Sequence, residues 1–141
     1  MKILFLCVAN SARSQMAEGL CKAMFRAKVE VYSAGSEPSG IVHPLAIEVM
    51  NEVGIDISKN FSKFYETLPI EFLMDLDFLI TLCADEICPT VVNRKAKRIH
   101  WMCPDPATLG ETDEKKLEAF RLVREQIREK LENFGREHGL I

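Results

Sequence analysis

No stretch of this sequence approaches the ~20 consecutive apolar residues that cross a bilayer, so no membrane association is expected. The apolar run from Ile3 to Ala9 follows a single lysine, but it is too short for a signal peptide and lacks a convincing cleavage site. Excess positive charge is missing as well. Lys and Arg number 18 against 21 Asp and Glu, which leaves a net charge of -3 and no broad basic surface for nucleic acid. Repeats, linkers and low-complexity tracts are absent, so the 141 residues, 48% of them apolar, are expected to fold as one domain over 1–141. The expected setting is the cytoplasm and the expected state a monomer. In that compartment the five cysteines stay reduced, and such cysteines are more often catalytic or metal-binding than structural.

What is present begins at Cys7. The segment Cys7-Val8-Ala9-Asn10-Ser11-Ala12-Arg13-Ser14 puts a thiol and a guanidinium on one tight loop, with five residues between them. Lys2 to Leu6 before it reads as a short buried strand. Ser14 to Phe25 after it reads as a helix, with Met16, Leu20, Ala23 and Met24 at helical spacing. A loop closing onto a helix N-terminus turns its backbone N–H groups inward and gathers the positive end of the helix dipole. Val8, Ala9, Asn10, Ser11, Ala12, Arg13 and Ser14 are therefore the candidate oxyanion-binding residues, with Arg13 able to hold two oxygens in its planar fork. The same field favours a thiolate, which makes Cys7 a candidate nucleophile. The plainer reading is that Cys7 is a small buried hydrophobe at a strand end.

Strands and helices alternate further along. Lys28–Ser33 reads as a second strand and Pro44 as the first turn of a helix, with Ala46, Ile47, Val49, Met50 and Val53 buried and Gly54 as its stop. His43, before that proline, reads as a turn residue. A loop from Ile55 to Asp75 is expected to hold a short helix near Pro69 to Met74. Asp77–Leu82 and Arg98–Met102 read as strands. The last helix starts at Thr112 as N-cap and buries Leu117, Phe120, Val123, Ile127, Leu131 and Phe134. This βαβ alternation implies an α/β fold, a parallel sheet with helices on both faces. Ligands of such sheets bind beyond the carboxyl ends of the strands, where Cys7, Cys83 and Asp105 all fall.

Cys-x5-Arg-Ser resembles the signature of the low-molecular-weight protein tyrosine phosphatases and of the arsenate reductases that share their fold. Thr81-Leu82-Cys83 with Cys88, Ser33-Ala34-Gly35, Gly54-Ile55-Asp56-Ile57-Ser58 and Asp105-Pro106-Ala107 are similar to the thioredoxin-coupled reductase branch. The resemblance implies a single-domain, four-stranded parallel sheet in the order 2-1-3-4. It also implies Cys7 as nucleophile, Arg13 as substrate clamp, Asp105 as general acid, and a Cys7-Cys83-Cys88 thiol/disulfide relay recycled by thioredoxin or a similar thiol reductant. Asn10 would fix the loop and Ser14 would bond Cys7. Phosphate would compete with arsenate, and no cofactor is implied. One departure stands out: only four residues separate Cys83 from Cys88, fewer than in the best-known reductases of this type.

Two other readings stay open. A phosphatase would use Cys7, Arg13 and Asp105, but such enzymes usually carry aromatic residues just after Asp-Pro, where this chain has Ala107-Thr108-Leu109. A zinc- or anion-sensing module would draw on Cys83, Cys88, His100 and Cys103, at a spacing that matches no standard finger. Some relatives bind a cation near the loop. Phe61 and Lys63 do not resemble ligands, so no metal site is expected here. Cys21, mid-helix, reads as core.

Overall fold

The computed structural model describes residues 1–83 and 95–141. Four parallel strands form one sheet: β1 (Lys2–Cys7), β2 (Glu30–Gly35), β3 (Phe78–Thr81) and β4 (Lys97–His100), in the spatial order β2-β1-β3-β4. The strand order is the one implied by the resemblance. Among the described residues four α-helices complete the frame: α1 (Arg13–Phe25), α2 (Pro44–Asn51), α3 (Ile70–Met74) and α4 (Asp113–Glu137).

β1 is apolar and buried from Ile3 to Cys7 because it is covered on both faces. Ile3 and Phe5 join a core with Met16, Leu20, Val49, Met50 and the buried stripe of α4. Leu4 and Leu6 face the other way, onto Leu68, Phe72 and Leu76 around α3. β4 is an edge strand and shows it: Lys97, Arg98 and His100 are exposed, a charge pattern that discourages edge-to-edge pairing. Among the described residues no helix is long and apolar enough to cross a membrane.

Expected and observed elements differ mostly at their ends. The second strand begins at Glu30 rather than Lys28, because a 3-10 turn at Arg26–Lys28 consumes the residues before it. It runs on through Ala34 and Gly35, since Gly35 still pairs with Cys7. α2 stops at Asn51 and the chain turns through Gly54, at φ 78, so Val53 is exposed instead of buried. α4 starts as expected, with the Thr112 hydroxyl accepting from the Lys115 N–H at 3.2 Å. Its Phe120, Val123, Ile127, Leu131 and Phe134 are buried, and Leu117 is half-buried against them.

One ion-pair cluster ties α2 to α4. Glu52 accepts from Arg121 at 2.6 Å and from Arg124 at 2.8 Å, and Arg124 also donates to the Val49 carbonyl at 2.8 Å. The Arg121 hydrogen bonds, then those from Arg124, hold the Glu52 carboxyl down to about 2 from 4.5. A carboxyl depressed on folding stabilises above its unfolded value and loses that contribution as pH falls through its folded value. Glu52→Gln is therefore expected to cost under about 1 kcal/mol at neutral pH, as exposed pairs do. The gap between the wild-type and variant thermal midpoints should close as pH falls from 4.5 towards about 2.

Candidate active site

Cys7 ends β1, and the five residues after it wrap into a loop that opens α1. Its conformation is enforced from outside. The N–H groups of Glu37, Ser39 and His43 donate to the carbonyls of Val8, Ala9 and Ser11 at 2.9, 3.0 and 2.9 Å, and the Ser62 hydroxyl donates to Ala9 O at 2.7 Å. With carbonyls drawn outward, the loop amides face the interior of the turn, as an anion site requires. Gly35 lies directly beneath: a Cβ there would stand 2.4 Å from the Val8 carbonyl oxygen.

Asn10 holds the loop from within. It is fully buried at φ 48, a left-handed conformation that asparagine tolerates better than most residues. Its Oδ1 accepts from Gln15 Nε2 and from the Lys63 N–H, both at 3.0 Å, while its Nδ2 donates to Ser14 Oγ at 2.7 Å. Because Ser14 Oγ accepts that bond, its own hydrogen is available to Cys7 Sγ, 2.9 Å away. The Asn10 N–H donates to the same sulfur at 3.3 Å. Two donors thus converge on Cys7, an arrangement suited to a sulfur anion.

The remaining groups come from the ends of the other strands. Arg13 is buried, and its Nη1 donates to Leu82 O at 3.3 Å and Cys103 O at 3.1 Å, just past β3 and β4. Asp105 caps a 3-10 turn at Pro106–Thr108, with Oδ1 accepting from the Ala107 N–H at 3.0 Å. Cys7, Ala9, Ser11, Ala12, Arg13 and Asp105 line one cavity of about 170 Å³, together with Ser39, His43 and Ala107. A larger cavity of about 560 Å³, walled in part by Lys22, Lys59 and Phe61, holds none of the expected nucleophile, clamp or acid residues.

Of the expected residues, Val8, Asn10 and Ser14 support the loop without lining the cavity. Cys83 is buried immediately beyond the Leu82 anchor of Arg13 and is disulfide-bonded, whereas Cys7, Cys21 and Cys103 are free thiols. Cys88 lies outside the described residues. Burial pushes the Cys21 thiol up to about 12 and the Cys103 thiol up as well, so both are poor nucleophiles. His100 is exposed and bonded through Nδ1 to Thr81 Oγ1 at 2.6 Å, while Cys103 is buried. The two do not share a face, and among the described residues no three His, Cys, Asp or Glu gather as a metal site. The Lys63 ammonium stands 3.5 Å from the Phe61 carbonyl.

Sequence reading missed Ser39 and took His43 for a turn residue, whereas both line the cavity. Both lie far from Cys7 along the chain, and the only signal for His43 was its place before Pro44, which equally marks a helix start.

The family model for low molecular weight phosphotyrosine protein phosphatases matches residues 2–138. An arsenate reductase of Halalkalibacterium halodurans is 44% identical over 135 residues, 94% of each chain. Among solved structures, an arsenate reductase in a phosphate-binding state superposes with a TM-score of 0.76 at 40% identity, over 95% of this chain and 96% of that one. A thioredoxin-dependent arsenate reductase of Corynebacterium glutamicum aligns with a TM-score of 0.67 at 32% identity, covering 93% of this chain and 60% of its own.

Proposed function

Since the chain belongs to the low molecular weight phosphotyrosine protein phosphatase family, we infer from its site and its relatives that it is an arsenate reductase, converting arsenate to arsenite with thioredoxin-type recycling. The observation that carries this reading is the convergence of Cys7, Arg13 and Asp105 on one small cavity, with Cys83 directly behind the Arg13 anchor. Ala107 lines that cavity where a phosphotyrosine enzyme would present an aromatic ring.

The reaction proceeds in balanced thiol steps. Arsenate sits among the loop amides and Arg13. The Cys7 thiolate bonds to arsenic while Asp105 gives a proton to the departing oxygen, which leaves as water. Cys83 then attacks Cys7 Sγ. The S–As bond breaks with its electron pair remaining on arsenic, arsenite departs, and two thiols have supplied two electrons as a Cys7–Cys83 disulfide. Cys88 attacks Cys83, Cys7 leaves as thiolate, and the oxidation now resides in Cys83–Cys88, which an external dithiol reduces. Cys83 is disulfide-bonded and Cys7 a free thiol, an arrangement compatible with this order. Phosphate occupies the same cradle as a competitor. The enzyme works as a cytoplasmic monomer, in a compartment that keeps dithiols reduced.

The test is arsenate-dependent NADPH oxidation in the presence of thioredoxin and thioredoxin reductase. Turnover with arsenate, beside slow hydrolysis of phenyl phosphate, is the expected result. Rapid hydrolysis with no arsenate-dependent oxidation would make the protein a phosphatase.

A further inference from the structure

His43 belongs to no step above, yet it is built into the site three times over. Its backbone N–H holds the Ser11 carbonyl at 2.9 Å, its Nδ1 accepts the Leu45 N–H at 3.1 Å as the cap of α2, and its ring lines the cavity with Cys7, Arg13 and Asp105. The ring also packs on Phe120 of α4, with centroids 4.7 Å apart. Acceptance at Nδ1 fixes the tautomer: in the neutral ring the proton is on Nε2. Among the described residues Nε2 has no hydrogen-bond partner. With Nδ1 turned into the helix cap, Nε2 is the ring nitrogen left for the cavity that His43 lines.

We propose that His43 is a further anion-binding residue of this site, donating from Nε2 to the bound oxyanion and taking up a proton from solvent as that oxyanion enters. The inference rests on the arsenate reading and adds a residue to it.

The charges around His43 set the direction. Asp105, from the loop after β4, favours the imidazolium, and Lys116, from α4, opposes it. Arg13 from α1 and Cys7 from β1 share the cavity. Burial outweighs Asp105 and holds His43 below its ordinary value, hence neutral at pH 7. A multiply charged anion entering the cavity adds to the side of Asp105 and pulls the ring towards its charged form. When the bound state has the higher pKa, the added affinity is fully present below the free-state value. It is lost as pH rises through the bound-state value.

Inorganic phosphate is the probe, since it occupies the cradle without reacting. His43→Asn keeps a side-chain acceptor at the N-cap and the backbone bond to Ser11, while withdrawing the long donor. Phosphate inhibition constants for wild type and variant are compared from about pH 5 to about pH 8. The variant is expected to bind about tenfold more weakly at the acid end, the loss expected of one charged hydrogen bond, and nearly as well as wild type at the alkaline end. Phosphate's own ionisation is common to both proteins and cancels in the ratio. A second readout needs no variant: the NMR titration midpoint of the His43 ring should rise by about one unit when phosphate saturates the site. A ratio that does not change with pH, or a midpoint that phosphate leaves in place, overturns the inference while arsenate turnover by wild type continues. Wild type that binds neither phosphate nor arsenate overturns both this inference and the arsenate reading.

Discussion

Cys83→Ser is expected to bring arsenate-dependent NADPH oxidation to background with no arsenite released, whereas Cys88→Ser releases one arsenite per enzyme and stops. The asymmetry follows from what each sulfur does. Without Cys83 no thiol attacks Cys7 Sγ, so the arsenic–sulfur adduct keeps its electrons in the wrong place and water merely reverses it. Without Cys88 the first disulfide forms but is not passed on, and Cys7 stays locked to Cys83. Quantifying arsenite in a single turnover, and peptide mapping without reductant, distinguishes the two arrested states. Cys21→Ala and Cys103→Ala serve as controls and should keep cycling. Both thiols are buried and raised by that burial, and it is the Cys103 carbonyl, not its sulfur, that anchors Arg13. Continued turnover of Cys83→Ser would remove the relay from this protein.

Gly35→Ala is the second large effect, and it arises without touching any reacting group. The added methyl would lie 2.4 Å from the Val8 carbonyl oxygen and 3.0 Å from the Asn10 nitrogen, both backbone atoms that no rotamer change moves aside. The loop must lift, and the N–H that Asn10 directs at Cys7 Sγ lifts with it. Overpacking of this kind costs about 1–3 kcal/mol of stability. The catalytic loss should be larger in proportion, because a displacement of about 1 Å costs roughly 100-fold in rate. Thermal unfolding beside the arsenate assay separates the two: a variant folded at the assay temperature but about 100-fold slower supports the account. A variant with wild-type kcat/KM contradicts it.

Much of this architecture was legible because it depends on nearest neighbours in the chain. A buried strand, five small or polar residues and an arginine at a helix start specify an anion loop wherever they occur. Asp105 was readable for the same reason, as an Asp-Pro turn just after a strand. What could not be read depends on contacts made across long separations. The clasp of residues 37–43 on the loop carbonyls involves only backbone atoms, which carry no residue signature. Gly35 was visible as a strand end, but its service to Val8 exists only once β2 lies against β1. The early stop of α2 was missed because Val53 continues the apolar period, while the turn at Gly54 ends the helix before that period is satisfied. The Cys83–Cys88 pairing rests on resemblance alone, with Cys88 outside the described residues.

The placement of β1 has a consequence for how the protein is made. The strand that delivers Cys7 is central, and β3, its partner on one side, is synthesised late: Leu6 meets Thr81 only after 75 further residues exist. At about 5–20 residues per second the newborn thiol therefore waits several seconds, uncovered by its own sheet. α4, which packs over α1, arrives later still. During that interval Cys7 is on an unfinished chain, without the folded site that directs its chemistry, so assembly of the sheet and not synthesis of the cysteine sets when the nucleophile comes into being.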